Sequence, residues 1–368
     1  MATRELSVIT DDGVVLAGEE AEPAPIRPGL AGASTEADAG TERSDPTRSG
    51  VGGGGRAPIV LLHGLTATRR YVVMGSRLLE RSGYRVIAYD ARGHGGSTPA
   101  VVAGGGAAGE VAYGYARLAR DLEAVLDALE IPRAALAGAS MGAHTILRFA
   151  LDHPERVTAL GLVTPGFDPA AHLDVPGSPG GAGDKPTRTV IGRAGSDNDR
   201  DRSPGTRAFG AGRFGDASGA SVFPIGPRFD PLARALREGG VQAFARAYDF
   251  STVPPAWRDT VERVVLQRLS LHEHPAAVAD AMEVVSRSRP FEDFAELGAI
   301  AVPTVVVASR DEVDPGHPLA LAERYARAIP GATFTVEDGG PPLRSPIAWQ
   351  GGQLSKVLVE LLRHVRYT

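Results

Sequence analysis

Residues 134–153 read AALAGASMGAHTILRFALDH: a short apolar run, one serine between two glycines, then apolar positions at three- and four-residue steps. The spacing predicts a buried strand that turns sharply through Gly138-Ala139-Ser140-Met141-Gly142 and continues as a helix. A G-x-S-x-G sequence in that setting lifts a serine hydroxyl off a sheet edge, because the turn leaves no room for side chains at its flanks. At the start of the helix the Met141 amide has no intrahelical acceptor and aims at the same spot, ready to hold a developing oxyanion. Ser140 is thus the candidate nucleophile and Met141 a candidate oxyanion donor.

Outward from this centre, strand and helix patterns alternate. LSVITDDGVVLAG (6–18) is two β-rich runs joined by Asp12-Gly13, a tight-hairpin signal. APIVLLHG (57–64), YRVIAYD (84–90), VTALGLVTP (157–165), PTVVVAS (303–309) and ATFTVED (332–338) read as strands. Helical spacing covers 69–82, 115–130, 318–329 and 352–365. Such alternation predicts an α/β fold with a mostly parallel, doubly wound sheet, its ligand loops along the strands' C-terminal edge. Four helix-like pieces at 231–238, 241–248, 257–271 and 275–285 interrupt the alternation and read as a helical cap over that edge.

Two stretches, about 21–57 and 174–226, are dense in Pro, Gly, Ser and charge and nearly free of large apolar groups. They cannot bury enough surface to offset their ordering entropy and are expected to be flexible inserts. The expected division is a core of 1–173 and 293–368, the low-complexity insert 174–226, and a cap of 227–292.

Composition removes other classes. The formal charge of -5 argues against nucleic acid and anionic membrane surfaces as partners, leaving a small molecule. With no cysteine, disulfides, thiolate metal sites and cysteine nucleophiles are excluded, and the acidic run at 192–201 lacks the regular spacing of a calcium loop. No apolar run reaches the length of a membrane span, and residues 1–18 lack the apolar centre of a signal peptide, so a soluble, cytoplasmic protein is expected.

At this point the chain resembles the α/β-hydrolase family over nearly everything outside the two inserts. VLLHG (60–64) looks like that family's HG loop, YDARGHGGS (89–97) like the segment after its fourth strand, and PTVVVASRDEVDPGHP (303–318) like its seventh strand with the acid-bearing loop. The resemblance implies that the Leu65 amide is the second oxyanion donor and that His63 and His94 structure loops. The acid lies among Asp311, Glu312 and Asp314: counting back from Pro318 selects Asp314, counting forward from the strand selects Glu312, and Asp314 is the choice.

The pattern breaks at the base. The family carries its histidine in the loop after the last strand, typically within Gly-His-Ser-Pro, but here EDGGPPLRSPIAW (337–349) has Arg344 before Ser345-Pro346. Arginine stays protonated and offers no acceptor lone pair, so it cannot be a general base. Three readings follow. Another histidine substitutes, with His317 the first choice and His272 and His274 in the cap as others; Ser140 works with no histidine; or the protein only binds a ligand. Arg344 could then clamp a substrate carboxylate or pair with Asp314. The expected function is a serine hydrolase, without cofactor or metal, acting on carboxylic esters or related acyl compounds. An acyltransferase using the same nucleophile and a non-catalytic ligand-binding homologue are the alternatives.

Overall fold

The computed structural model describes residues 3–23, 56–101, 112–172, 225–310, 314, 316–337, 352–363 and 365. Its sheet has eight strands: β1 (Thr3–Ile9), β2 (Val15–Ala21), β3 (Arg56–Leu62), β4 (Tyr84–Tyr89), β5 (Ala134–Ala139), β6 (Val157–Val163), β7 (Thr304–Ala308) and β8 (Thr333–Val336). The spatial order is β1-β2-β4-β3-β5-β6-β7-β8. β1 and β2 form the predicted hairpin, with Gly13 at φ +83°, and β2 runs antiparallel to β4; every pairing from β4 through β8 is parallel.

Parallel strands with both faces covered should be apolar throughout, and all seven residues of β6 and all five of β7 are buried. Helices α1 (Tyr115–Ala128), α2 (Met141–Asp152) and α3 (Leu319–Ala328, numbered here among core helices) pack on one face with Leu122, Ile146, Phe149 and Tyr325. Helix α4 (Gln353–Arg363) covers the other face through Leu354, Leu358 and Leu362, beside Leu79 and Val72. Among the described residues no helix is long and apolar enough to cross a membrane.

Arg92 is completely buried in the loop after β4, and it is paired on both sides: a two-pronged bridge to Asp121 of α1 and bonds of 2.8 and 3.2 Å to Asp12 of the hairpin turn. A buried guanidinium is tolerated when its donors are met this way, and the pairing ties the antiparallel edge to the core.

The helical block consists of cap helices αA (Ile225–Ala247), αB (Arg258–Leu269) and αC (Pro275–Val285), which share a core of Leu236, Phe244, Val265, Leu269, Val278 and Met282. The pieces expected at 231–238 and 241–248 lie within one element, kinked at Gly240 with φ +64°. The helix expected over 69–82 is absent. A short 3-10 turn at Arg69–Tyr71 and a single helical turn at Leu78–Arg81 stand in its place, separated by left-handed Met74 and Gly75. Apolar spacing alone could not reveal that break. The predicted inserts lie almost wholly outside the described residues.

Candidate active site

The C-terminal ends of β3, β5 and β7 meet at one edge, and the candidate residues hang from them. β5 ends at Ala139 and α2 begins at Met141, so Ser140 alone makes the turn, at φ 49° and ψ -109°. That backbone is unfavourable for a residue bearing a Cβ. It is held by the Ser140 amide donating to the Val163 carbonyl (2.9 Å) and by the His144 amide donating to the Ser140 carbonyl (3.1 Å). A Cβ at Gly138 would collide with the backbone of Gly142, and one at Gly142 with the carbonyl of Leu62, which explains both glycines.

His317 meets Ser140: its Nε2 lies 2.8 Å from Oγ. Its Nδ1 faces both carboxylate oxygens of Asp314, at 3.0 and 2.9 Å. This fixes the neutral tautomer, Nδ1–H donating to the carboxylate and Nε2 accepting from the serine hydroxyl. Asp314 and His317 belong to one tight turn, closed by the His317 amide donating to the Asp314 carbonyl (3.1 Å), so both come from the loop between β7 and α3. Burial pushes the Asp314 carboxyl up, but the neighbouring His317 and the positive field of Arg268 outweigh it and hold the pKa below the usual carboxylate range. Asp314 is the ionised partner that orients the ring.

The loop expected to carry the second oxyanion donor also meets the serine. A Cβ placed at Gly64 would lie 3.5 Å from the Ser140 Cβ, which brings the loop after β3 against the serine. Among the described residues, neither the Leu65 nor the Met141 amide has a hydrogen-bond partner. The Leu65 side chain packs into the cap core. A cavity of about 10 Å³ lined by Leu62, His63, Met141 and Gly142 has room for about one water.

Of the other histidines weighed as base, His272 has both ring nitrogens committed: Nδ1 accepts from the Gly95 amide (2.8 Å) and Nε2 donates to the Thr66 carbonyl (3.2 Å). It ties the cap to two core loops and is not a base for Ser140. His274 caps αC and makes no bond to Ser140. His63 accepts from the Ala91 amide (2.9 Å), and His94 donates to the Arg92 carbonyl (3.0 Å). Asp311, Glu312 and Arg344 lie outside the described residues.

Sequence reasoning missed the shelf on which His317 rests. His144, one turn into α2, accepts from the amides of Gly166 and Phe167, both at 3.1 Å, through Nε2, while Nδ1 faces the Tyr115 hydroxyl at 3.1 Å. Gly166 must be glycine, since a Cβ there would lie 2.7 Å from the His317 ring. Tyr325, fully buried, donates to the Phe167 carbonyl at 2.7 Å. Tyr325→Phe removes that bond, and the expected cost is about 1 kcal/mol, read from the urea midpoint of the variant against wild type. An unchanged midpoint would show that the shelf is held by packing alone.

Comparison with known proteins agrees with this architecture. The family model described as alpha/beta hydrolase fold matches residues 57–183. A protein of Variovorax paradoxus (strain S110), provisionally named carbamate hydrolase RutD, is 30% identical over 258 residues, covering 70% of this chain and 73% of its own. A 2-hydroxy-6-oxononadienedioate/2-hydroxy-6-oxononatrienedioate hydrolase of Paraburkholderia phymatum is 39% identical, but over only 30% of this chain and 37% of its own length. Among solved structures, the enol-lactonase of Burkholderia xenovorans LB400 is similar over 98% of this chain and all of its own, with a TM-score of 0.59 at 19% identity. From the ordered strands, the serine turn between β5 and α2, and these matches, the chain belongs to the alpha/beta hydrolase fold family.

Proposed function

We propose that this protein is a serine hydrolase of carboxylic esters or related acyl compounds, with Ser140 as nucleophile, His317 as general base and Asp314 as the acid that orients it. The observation that carries the reading is the continuous chain from Ser140 Oγ through His317 to the Asp314 carboxylate. As Oγ attacks the substrate carbonyl, Nε2 takes its proton. Asp314 stabilises the imidazolium that results, and the Leu65 and Met141 amides receive the tetrahedral oxyanion. Collapse expels the leaving group, protonated by Nε2. Water, deprotonated by the same nitrogen, then hydrolyses the acyl-enzyme.

The non-catalytic reading drew its support from the arginine where the family's histidine belongs. A histidine nitrogen at hydrogen-bond distance from Oγ takes that support away. The relatives and structural neighbours named as hydrolases and a lactonase are consistent with acyl chemistry. A fluorophosphonate probe tests the proposal: wild-type protein should label stoichiometrically at pH 8, and Ser140→Ala should not label while remaining folded. Labelling that survives Ser140→Ala, or folded wild-type protein that never labels, would remove Ser140 from this role.

A further inference from the structure

Among the described residues, one cation near the acid loop has no counter-charge. Arg268 lies on the last turn of αB, next to Leu269, which is buried in the cap core. Its Nε is buried without a hydrogen-bond partner, and among the described residues no carboxylate comes within ion-pair distance of its guanidinium. The fold's buried arginines are paired, whereas half-buried Arg268 is not: Arg92 holds two carboxylates, and Arg117 bridges Asp11 and Asp12. The charge of Arg268 is felt at Asp314, Tyr71, Tyr248 and His272, which come from the acid loop, the loop after β3, the end of αA and the residues following αB. Leu269, the next residue, shares the cap core with Leu65, so the end of αB stands beside the loop that meets Ser140. Asp314 pairs with His317 and lies beyond ion-pair distance of Arg268.

A half-buried guanidinium whose Nε is shut off from water and unpartnered is poised to take a ligand that supplies the opposite charge. Its planar fork of donors matches a carboxylate through two parallel bonds. We infer that Arg268 binds a carboxylate carried by the substrate, making the preferred substrates acyl compounds with a free acid group, such as monoesters of dicarboxylic acids. The inference rests on the serine-hydrolase reading for where the scissile bond sits, but not for the binding itself.

The experiment has two arms. In the first, kcat/KM is measured for the mono-p-nitrophenyl ester of glutaric acid and for p-nitrophenyl valerate, a neutral ester of similar length. Wild type should favour the acid by about 10- to 100-fold, the range of hydrogen bonds between charged groups. Arg268→Met should bring the ratio near one, with the change in KM, and Arg268→Lys should restore part of it. In the second arm, glutarate binding to Ser140→Ala is measured by calorimetry, which requires no turnover. Binding that Arg268→Met weakens at least tenfold supports the inference even if neither ester is hydrolysed, a result that would overturn the hydrolase reading alone. Removal of a half-buried, unpaired charge should also leave the melting temperature of Arg268→Met at or above that of wild type. A wild-type ratio near one, a ratio unchanged by Arg268→Met, or glutarate binding indifferent to Arg268→Met overturns it. So would a lowered melting temperature with both esters equally impaired, which would make Arg268 a structural residue.

Discussion

His317→Gln is expected to lower kcat for an activated ester by about 10⁴- to 10⁶-fold while leaving the far-UV spectrum and melting temperature close to wild type. The magnitude follows from what removal of a triad base does in serine hydrolases, where the remaining oxyanion donors and binding still give roughly 10³- to 10⁴-fold over water. Glutamine preserves bulk and polarity but cannot take a proton, so it separates base chemistry from packing. His317 is partly exposed, so few buried contacts are lost with the ring. Asp314→Asn should cost about 10⁴-fold, because an amide in place of the carboxylate favours the wrong tautomer of the ring. Burst and steady-state kinetics with a p-nitrophenyl ester measure both. A loss under tenfold in His317→Gln would show that the base is elsewhere. With His317 as base, Arg344→His in an otherwise wild-type chain should not raise the rate.

Most of the fold could be read from the chain because strand and helix periodicities switch cleanly. The run 134–153 announces strand, turn and helix, and the turn's two glycines are required by contacts that any such turn makes. Asp12-Gly13 marks the hairpin through the left-handed turn that it permits. The break at Met74-Gly75 was invisible, since the apolar residues around it keep helical spacing while the backbone does not. Within the site, the sequence supplied Ser140, Asp314 and His317 as separate candidates, but their union depends on a turn tight enough to fold His317 back onto the acid three residues earlier. Counting residues could not choose between Asp314 and Glu312, because loop length does not specify where a carboxylate points. An internal bonding role for His144 could be read from its place one turn after Ser140, but its partners, like the part of Arg268, were out of reach for a different reason. Each matters through segments distant in sequence, the Gly166-Phe167 amides for one and an absence of counter-charge for the other.

Acid should unfold this protein well before its carboxylates titrate. His63, His94 and His272 stack in series, with ring centroids 5.2 and 5.5 Å apart, where the loops after β3 and β4 meet the cap. The bonds of His63 and His272 demand neutral rings: His63 Nε2 accepts from the Ala91 amide and His272 Nδ1 from the Gly95 amide, so a proton on either would face an N–H. Burial is the largest cause holding all three below the usual imidazole range. For His63, with Arg69 and His272 adding to it, the pKa falls to about 4; for His94, Asp90 opposes the trend without reversing it; for His272, Arg268 reinforces it against Asp90. Since the folded pKa values lie below the unfolded 6.5, the unfolded chain takes up protons first. Stability is therefore complete above about pH 6.5 and is lost as the pH falls toward 4. A shift of that size is worth about 3 kcal/mol for His63 alone, and the other two act in the same direction. The paired carboxylates of Asp12, Glu20 and Asp314 sit below their ordinary values, so their contribution is lost at lower pH and does not obscure the window. Urea unfolding between pH 7.5 and 5 should give a slope of stability against pH corresponding to more than one proton taken up on unfolding, at about 1.4 kcal/mol per proton per pH unit. His94→Gln, which removes the middle ring, should flatten the slope by about one proton. A flat profile in wild type would mean that these rings titrate normally in the folded state and that the seam between cap and core tolerates their charge.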